Sequence, residues 1–111
     1  MVAIEIQEYE DRNGRSPFAE WFDRLNAVAA AKITVSLARL AQGNTGATKS
    51  VGAGVHELKI NFGPGYRVYL GLEGNQVVIL LAGGTKSRQQ RDIAIAVGRW
   101  RDYKDRRRRA N

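Results

Sequence analysis

The fold is decided by residues 57–86, which read ELKINF-GPG-YRVYLGLE-GN-QVVILLAGGTK. Three runs with the composition of strands are separated by short turns at residues 63–65 and 74–75. Apolar residues alternate along the first two runs, so one face of the predicted sheet is directed toward a core. The opposite face carries a set of polar side chains, the polar set, which consists of Glu57, Lys59, Arg67 and Tyr69.

The two turns also predict which residues face each other across the hairpins. With the first hairpin centred on Pro64 and the second closed by a two-residue loop, the expected pairs are Asn61 with Arg67, Lys59 with Tyr69, Arg67 with Ala82, and Tyr69 with Leu80. The third run is apolar on both faces, as expected of a central strand. In this pairing Val78 and Leu80 frame the polar set.

The chain before this segment predicts one strand and a helical hairpin. Residues 2–9 alternate between apolar and polar types, which indicates a half-buried strand. Ser16 and Pro17 are a typical N-cap and first helical residue. Asn26 separates this helix from a second one, which Gly43 ends. The apolar stripe of the hairpin consists of Leu25, Ala29, Ile33, Leu37 and Leu40.

Residues 44–54 are rich in glycine, serine and threonine and are predicted to form a mobile loop. A last helix is expected to begin at Ser87, with Gln90 completing a capping box. Its core stripe consists of Ile93, Val97 and Trp100. The predicted fold is α+β in the order β-α-α-β-β-β-α, with a mainly antiparallel sheet. Residues 1–105 are expected to form one domain, and residues 106–111 a basic, disordered tail.

Composition excludes several classes of site. The chain has no cysteine and one histidine, His56, so disulfides, thiolate chemistry and a histidine-based zinc site are not expected. No cofactor or metal is expected. Neither a signal peptide nor an apolar run of membrane-spanning length is present, which predicts a cytoplasmic protein without a membrane partner.

Positive charge is concentrated after the first helix. The net charge is +7, yet residues 1–25 hold six acidic residues against three arginines, so the remainder carries an excess of ten positive charges. Seven cations lie between Arg99 and Arg109. This distribution favours a polyanionic partner, either nucleic acid or an acidic protein segment.

The polar set suits cleavage of RNA without a metal. In that reaction the ribose 2′-OH attacks the adjacent phosphorus, and the protein stabilises the phosphorane and moves two protons. The planar guanidinium of Arg67 suits the phosphorane oxygens. Lys59 could act as base or proton donor, and Tyr69 could stack on a base. Lys86 is expected just beyond Arg67, at the end of the last strand.

The run ELKINFGPGYRVYLGLEGNQVVILLAGGTKS, the helix start SPFAEWF and the later DIAIAVGRW together resemble the RelE/ParE superfamily of bacterial toxins. The resemblance is stronger to the addiction module killer protein branch. It implies a toxin of a type II toxin–antitoxin system, neutralised by a cognate antitoxin that carries a helix-turn-helix DNA-binding module. The RelE branch cuts mRNA on the ribosome, which would make the chain an endoribonuclease, whereas the ParE branch inhibits DNA gyrase.

Carried over by position, the resemblance implies that Lys59, Arg67 and Lys86 are catalytic. Glu57, Tyr69, Arg88 and Arg91 are expected to contact the substrate. Two positions depart from RelE: Glu57 stands where RelE has a second lysine, and Asp92 or Ile93 where it has a tyrosine.

Three hypotheses follow from this pattern. The first is a ribosome-dependent mRNA endonuclease that inhibits translation, which the retained Lys59, Arg67 and Lys86 favour. The second is a ParE-like gyrase inhibitor, and the third is a catalytically weak basic module whose partner is its antitoxin. Glu57 and the absent helix tyrosine favour the second and third.

Overall fold

A computed structural model describes residues 3–110 as an α+β fold, which confirms the predicted class. The strands are Glu5–Glu8 (β1), Thr48–Gly52 (β2), Val55–Ile60 (β3), Tyr66–Glu73 (β4) and Val77–Thr85 (β5). The helices are Pro17–Asp23 (α1), Ala27–Ala41 (α2) and Gln89–Ala110 (α3), with short 3₁₀ turns at Thr45–Ala47 and Lys86–Arg88. The strand order is β1-β5-β4-β3-β2, and only β1 pairs in parallel.

The helical hairpin begins and ends at the predicted residues. The Ser16 hydroxyl accepts a hydrogen bond from the Ala19 amide, and the Asn26 side chain accepts one from Ala29. Each satisfies an amide that has no partner within its helix. Gly43 follows α2 with a φ of +96°, a conformation that suits glycine at a helix end.

The sheet is covered on both faces. On one face α1 and α2 pack against a cluster that includes Leu58, Val68, Val78 and Leu80. On the other face α3 packs through Ala96 and Trp100, against the residues Val55, Tyr69, Ile79 and Leu81. Among helices in the described part of the chain, none is long and apolar enough to cross a membrane.

Both predicted hairpin pairings were wrong by two residues. Lys59 lies opposite Arg67, and Glu57 lies opposite Tyr69. The first turn is longer than a tight turn on Pro64, since β3 ends at Ile60 and β4 begins at Tyr66.

In the second hairpin Arg67 faces Gly84 and Tyr69 faces Ala82, with a bulge between Tyr69 and Leu70. The extra residue on β5 reverses the face on which the side chains of residues 77–80 lie, compared with the predicted pairing. Val78 and Leu80 therefore pack toward the helical hairpin and do not frame the polar set.

The predicted loop at residues 44–54 contains an additional strand, so the order is β-α-α-β-β-β-β-α. β2 pairs antiparallel with β3, through Thr48 with Leu58 and Lys49 with Glu57. The turn between them uses left-handed residues at positions 52–54. The physical reason is that β3 would otherwise present unpaired backbone groups along one edge. The first strand is shorter than predicted, and Val2 lies outside the described residues.

Two expectations for the last helix were also wrong. It begins at Gln89 after a 3₁₀ turn, and the Ser87 hydroxyl meets the Thr85 hydroxyl at 3.2 Å. Residues 106–110 continue the helix, although a disordered tail was expected. Arg106 pairs with Asp102 one turn earlier in α3 at 2.9 Å, and Arg107 pairs with Glu73 of β4 at 3.2 Å, so the second pair ties the last turns to the sheet.

Gly71 is a position where only glycine fits. A Cβ atom there would overlap the ring of Trp100, which is buried and stacks on Tyr103 at 5.5 Å between centroids. We expect Gly71→Ala to lower the free energy of unfolding by about 1–3 kcal/mol, because the ring must be displaced.

Urea denaturation would measure this loss. Gly98→Ala is the matched control, since a Cβ atom at that helical position meets no atom within 4 Å. It should stabilise the protein by about 0.5–1 kcal/mol. Equal stability of the Gly71→Ala variant and the wild type would contradict the prediction.

Candidate functional site

Three cationic residues lie at the end of the sheet that carries the first turn. Lys59 and Arg67 are cross-strand partners on β3 and β4. The Gly65 carbonyl accepts hydrogen bonds from Arg67 Nη1 at 3.0 Å and from the Lys86 amide at 2.9 Å. The structure thus brings Lys59, Arg67 and Lys86 together, and we call them the cation cluster. Lys59 and Lys86 are exposed, whereas Arg67 is 4% exposed.

The anion that Arg67 meets in this structure belongs to the protein. Arg67 Nε lies 3.6 Å from Glu57 Oε2, and Glu57 is itself buried. The same carboxylate oxygen accepts a 2.7 Å hydrogen bond from Gln89 Nε2, at the start of α3. Since α3 covers this face, Glu57, Arg67 and Tyr69 form a buried polar layer. Sequence patterns predicted that they share a face but not that a helix covers it.

Tyr69 is completely buried, and its hydroxyl has no hydrogen-bond partner among the described residues. It therefore does not offer a ring for base stacking in this conformation. Burial, reinforced by the negative charges of Glu57 and Asp92, raises the pKa of Tyr69 to about 12. The phenol is neutral throughout the physiological range.

The unpartnered hydroxyl leads to a stability prediction. We expect Tyr69→Phe to be neutral or to stabilise the protein by about 1 kcal/mol at pH 7, because it removes a buried polar group without a partner. The folded pKa lies above the ordinary value of 10.0, so the unfolded chain loses its proton first as pH rises. The wild type should therefore lose stability between about pH 10 and 12 relative to Tyr69→Phe.

Urea unfolding of both proteins from pH 7 to 11 measures this difference. Tyr66→Phe provides the control, because Tyr66 lies in the same strand but packs toward the helical hairpin. If the difference between wild type and Tyr69→Phe stays constant across pH, the assignment of the raised pKa is wrong.

Asp92 of α3 lies beside this layer, over Gly84 of β5. Its Oδ2 atom is buried, has no hydrogen-bond partner within residues 3–110, and packs directly over Gly84. Burial raises the pKa of Asp92, while Arg88, Arg91 and Arg99 act in the opposite direction. Sequence reasoning singled out neither Gln89 nor Arg99. The sequence feature that could have indicated this packing is the Gly83–Gly84 pair, because two glycines in a strand leave room for a side chain from another element on each face of β5.

Arg88 and Arg91, which were predicted to contact substrate, are both exposed, Arg88 at the end of the 3₁₀ turn and Arg91 in the first turn of α3. They lie close to the cation cluster along the chain, since Lys86 opens the same 3₁₀ turn. Within residues 3–110, no group of three histidine, cysteine, aspartate or glutamate side chains is arranged to hold a metal ion.

Comparison with known proteins identifies the family of this chain. Residues 20–101 match the family described as Phage derived protein Gp49-like (DUF891). A Haemophilus influenzae protein named "Uncharacterized protein" is 49% identical over 80 residues, which cover 71% of this chain and 81% of that relative. These matches support the broader relation to RelE-like toxins, without selecting a RelE or ParE branch. The chain belongs to the Gp49-like family of phage-derived proteins, a family of RelE-like toxins of toxin–antitoxin systems.

Proposed function

We propose that this protein is the toxin of a toxin–antitoxin system and that it cleaves mRNA on the ribosome without a metal. The observation that carries the proposal is the cation cluster, in which Lys59 pairs across the strands with Arg67, and Arg67 and the Lys86 amide share the Gly65 carbonyl. Two of its members, Lys59 and Lys86, present ammonium groups to solvent. Exposed cations at one end of a rigid sheet suit the charge that develops on the phosphorane.

In this proposal the members of the cluster have different roles. Lys59 and Lys86 contact the phosphorane oxygens; one of the two lysines accepts the 2′-OH proton as general base, and the other donates a proton to the leaving 5′ oxygen. Arg67 is a positioning residue, because its guanidinium is held by Glu57 and by the Gly65 carbonyl. The same carbonyl receives the Lys86 amide, so Arg67 fixes the turn that orients Lys86. The ribosome contributes by holding the mRNA in an extended conformation.

A specific observation favours the second candidate, a protein that acts by binding alone. Arg67 and Tyr69, two residues expected to contact RNA, are buried beneath α3. A gyrase inhibitor, or a basic module bound only by its antitoxin, does not need these side chains to be accessible. Both candidates are toxins or former toxins of the same family, and they differ in whether RNA is cut.

An induction experiment separates the candidates. The protein is expressed from a tight promoter in a bacterium lacking the antitoxin, and the 5′ ends of mRNA are mapped while plasmid supercoiling is followed on gels. We expect new 5′ ends within translated regions of mRNA. These ends should be absent when translation initiation is blocked. Altered supercoiling with intact mRNA would favour the gyrase inhibitor. If neither the mRNA nor the supercoiling changes, the antitoxin-bound module is favoured.

We further propose that the antitoxin neutralises this cytoplasmic toxin by covering its basic surface. The excess of ten positive charges after residue 25 suits an acidic contact segment. A helix-turn-helix DNA-binding module in the antitoxin is implied by the resemblance to RelE/ParE systems. Association should be fast and should slow as salt increases, because exposed charges are screened.

A further inference from the structure

A cleft lies at the free part of the β5 edge. β1 pairs with β5 only as far as Leu80, so from Leu81 onward β5 has no strand partner on that side among the described residues. Here α1 and α3 flank a cleft of about 200 Å³, which we call the arginine cleft. The side chains that matter for its chemistry are Trp21, Arg24, Arg88, Arg91, Asp92 and Arg99.

The two glycines of β5 shape the cleft. A Cβ atom on Gly83 would overlap the ring of Trp21, and one on Gly84 would overlap the carboxylate of Asp92. The absence of side chains there lets Trp21 and Asp92 pack directly on opposite faces of the strand. The strand edge between them remains accessible from the cleft.

The charge of the cleft is unbalanced. Within the described chain, Arg24, Arg88 and Arg91 have no carboxylate within 4.0 Å, although four guanidinium groups line one small space. Arg99 is held in place by donating a 2.8 Å hydrogen bond to the Leu81 carbonyl. Converging guanidinium groups repel each other unless an anion lies between them, and their planar forks match phosphate oxygens.

The one acidic side chain that lines the cleft, Asp92, does not prevent an anion from binding there. Asp92 Oδ2 is buried and has no hydrogen-bond partner among the described residues. Because burial raises the pKa of Asp92, uptake of a proton beside a bound anion is favoured. A protonated carboxyl would donate a hydrogen bond to a phosphate oxygen.

We infer that the arginine cleft binds one phosphate group of a single RNA strand, next to the phosphate held at the cation cluster. The space is too small for a duplex and large enough for a phosphate group. β3, which carries Lys59, and β5 are separated by two strand spacings, about 10 Å, and the cleft lies just beyond β5, so a strand of a few nucleotides can contact both sites. The assignment to RNA rests on the proposed function, whereas phosphate binding does not.

Trp21 lines the cleft and provides a direct signal, since only two tryptophans are present and Trp100 is buried elsewhere. Tryptophan fluorescence is titrated with two probes, pyrophosphate and a 2′-O-methyl tetraribonucleotide that cannot be cleaved. Both should cause saturable changes. The exchange of Arg24→Gln together with Arg91→Gln should weaken the binding of both probes at least tenfold.

Two further double variants make the test specific. Arg101→Gln with Arg109→Gln removes the same charge from exposed positions elsewhere on α3, and should change the affinity less than twofold. The double variant Lys59→Gln with Lys86→Gln should bind the tetranucleotide more weakly and bind pyrophosphate as the wild type does. All six positions are exposed, so the folds should be retained, which circular dichroism checks.

The outcomes separate this inference from the proposed function. The cleft is not a phosphate site if neither probe binds saturably. The same conclusion follows if the Arg101/Arg109 double variant loses as much affinity for the probes as the Arg24/Arg91 double variant. Binding of pyrophosphate without the tetranucleotide would retain the phosphate site and overturn its assignment to RNA. Binding of both probes by a protein that cuts no mRNA would retain the inference and refute the nuclease.

Discussion

Arg67→Ala is expected to lower the free energy of unfolding by about 3–5 kcal/mol, a large part of the stability of a small domain. Arg67 and Glu57 are 4% and 6% exposed, and their charged atoms lie 3.6 Å apart. Removing the guanidinium leaves a buried carboxylate whose only other described partner is Gln89. It also removes the side-chain donor to the Gly65 carbonyl, which organises the first turn.

Urea denaturation at pH 7 measures this loss. The control is the double variant Glu57→Gln with Arg67→Met, which removes both charges while keeping similar volumes, and it should recover most of the stability. A loss below about 1 kcal/mol for Arg67→Ala would show that the pair is not a buried ionic contact in solution. Because the single variant is expected to unfold easily, its loss of toxicity would report folding and not chemistry.

Lys59→Gln is expected to lower the rate of mRNA cleavage about a hundredfold, corresponding to roughly 3 kcal/mol of lost transition-state stabilisation. Lys59 is exposed, so the stability should change by no more than about 0.5 kcal/mol. The expectation depends on the proposed nuclease activity. It differs from that for Arg67→Ala because here the chemistry changes while the fold is retained.

Single-turnover cleavage on ribosomes loaded with a defined mRNA provides the measurement. Lys49→Gln is the matched control, since Lys49 is an exposed lysine on the adjacent strand β2, outside the cation cluster. Lys86→Gln should behave like Lys59→Gln. If the Lys59→Gln protein cleaves at the wild-type rate, Lys59 does not contact the phosphorane.

Local signals in the sequence predicted most of the individual elements. Ser16, Asn26 and Gly43 mark helix ends because their side chains or conformations satisfy backbone groups nearby. The alternation in residues 57–70 identified which side chains share a face, since that period is a property of the strand itself. It also gathered Lys59 and Arg67 on one face, as the structure has them.

Tertiary structure decided what local patterns do not encode. β2 forms because the edge of β3 offers backbone partners, although its own composition is typical of a loop. The exact pairing of the hairpins depends on the long first turn and on the bulge after Tyr69. Residues 106–110 remain helical through contacts with distant residues, including Glu73.

The sequence by itself therefore determined the α+β class, the helical hairpin and the cationic end of the sheet. Only the tertiary structure decided which of those cations are accessible. α3 packs across the face that carries Glu57, Arg67 and Tyr69, so Arg67 is neutralised inside the protein while Lys59 and Lys86 remain in solvent. It also brings Arg24 of the first helical segment beside Arg91 of the last helix. Such contacts between residues far apart in the chain depend on how whole elements pack, and no local period records them.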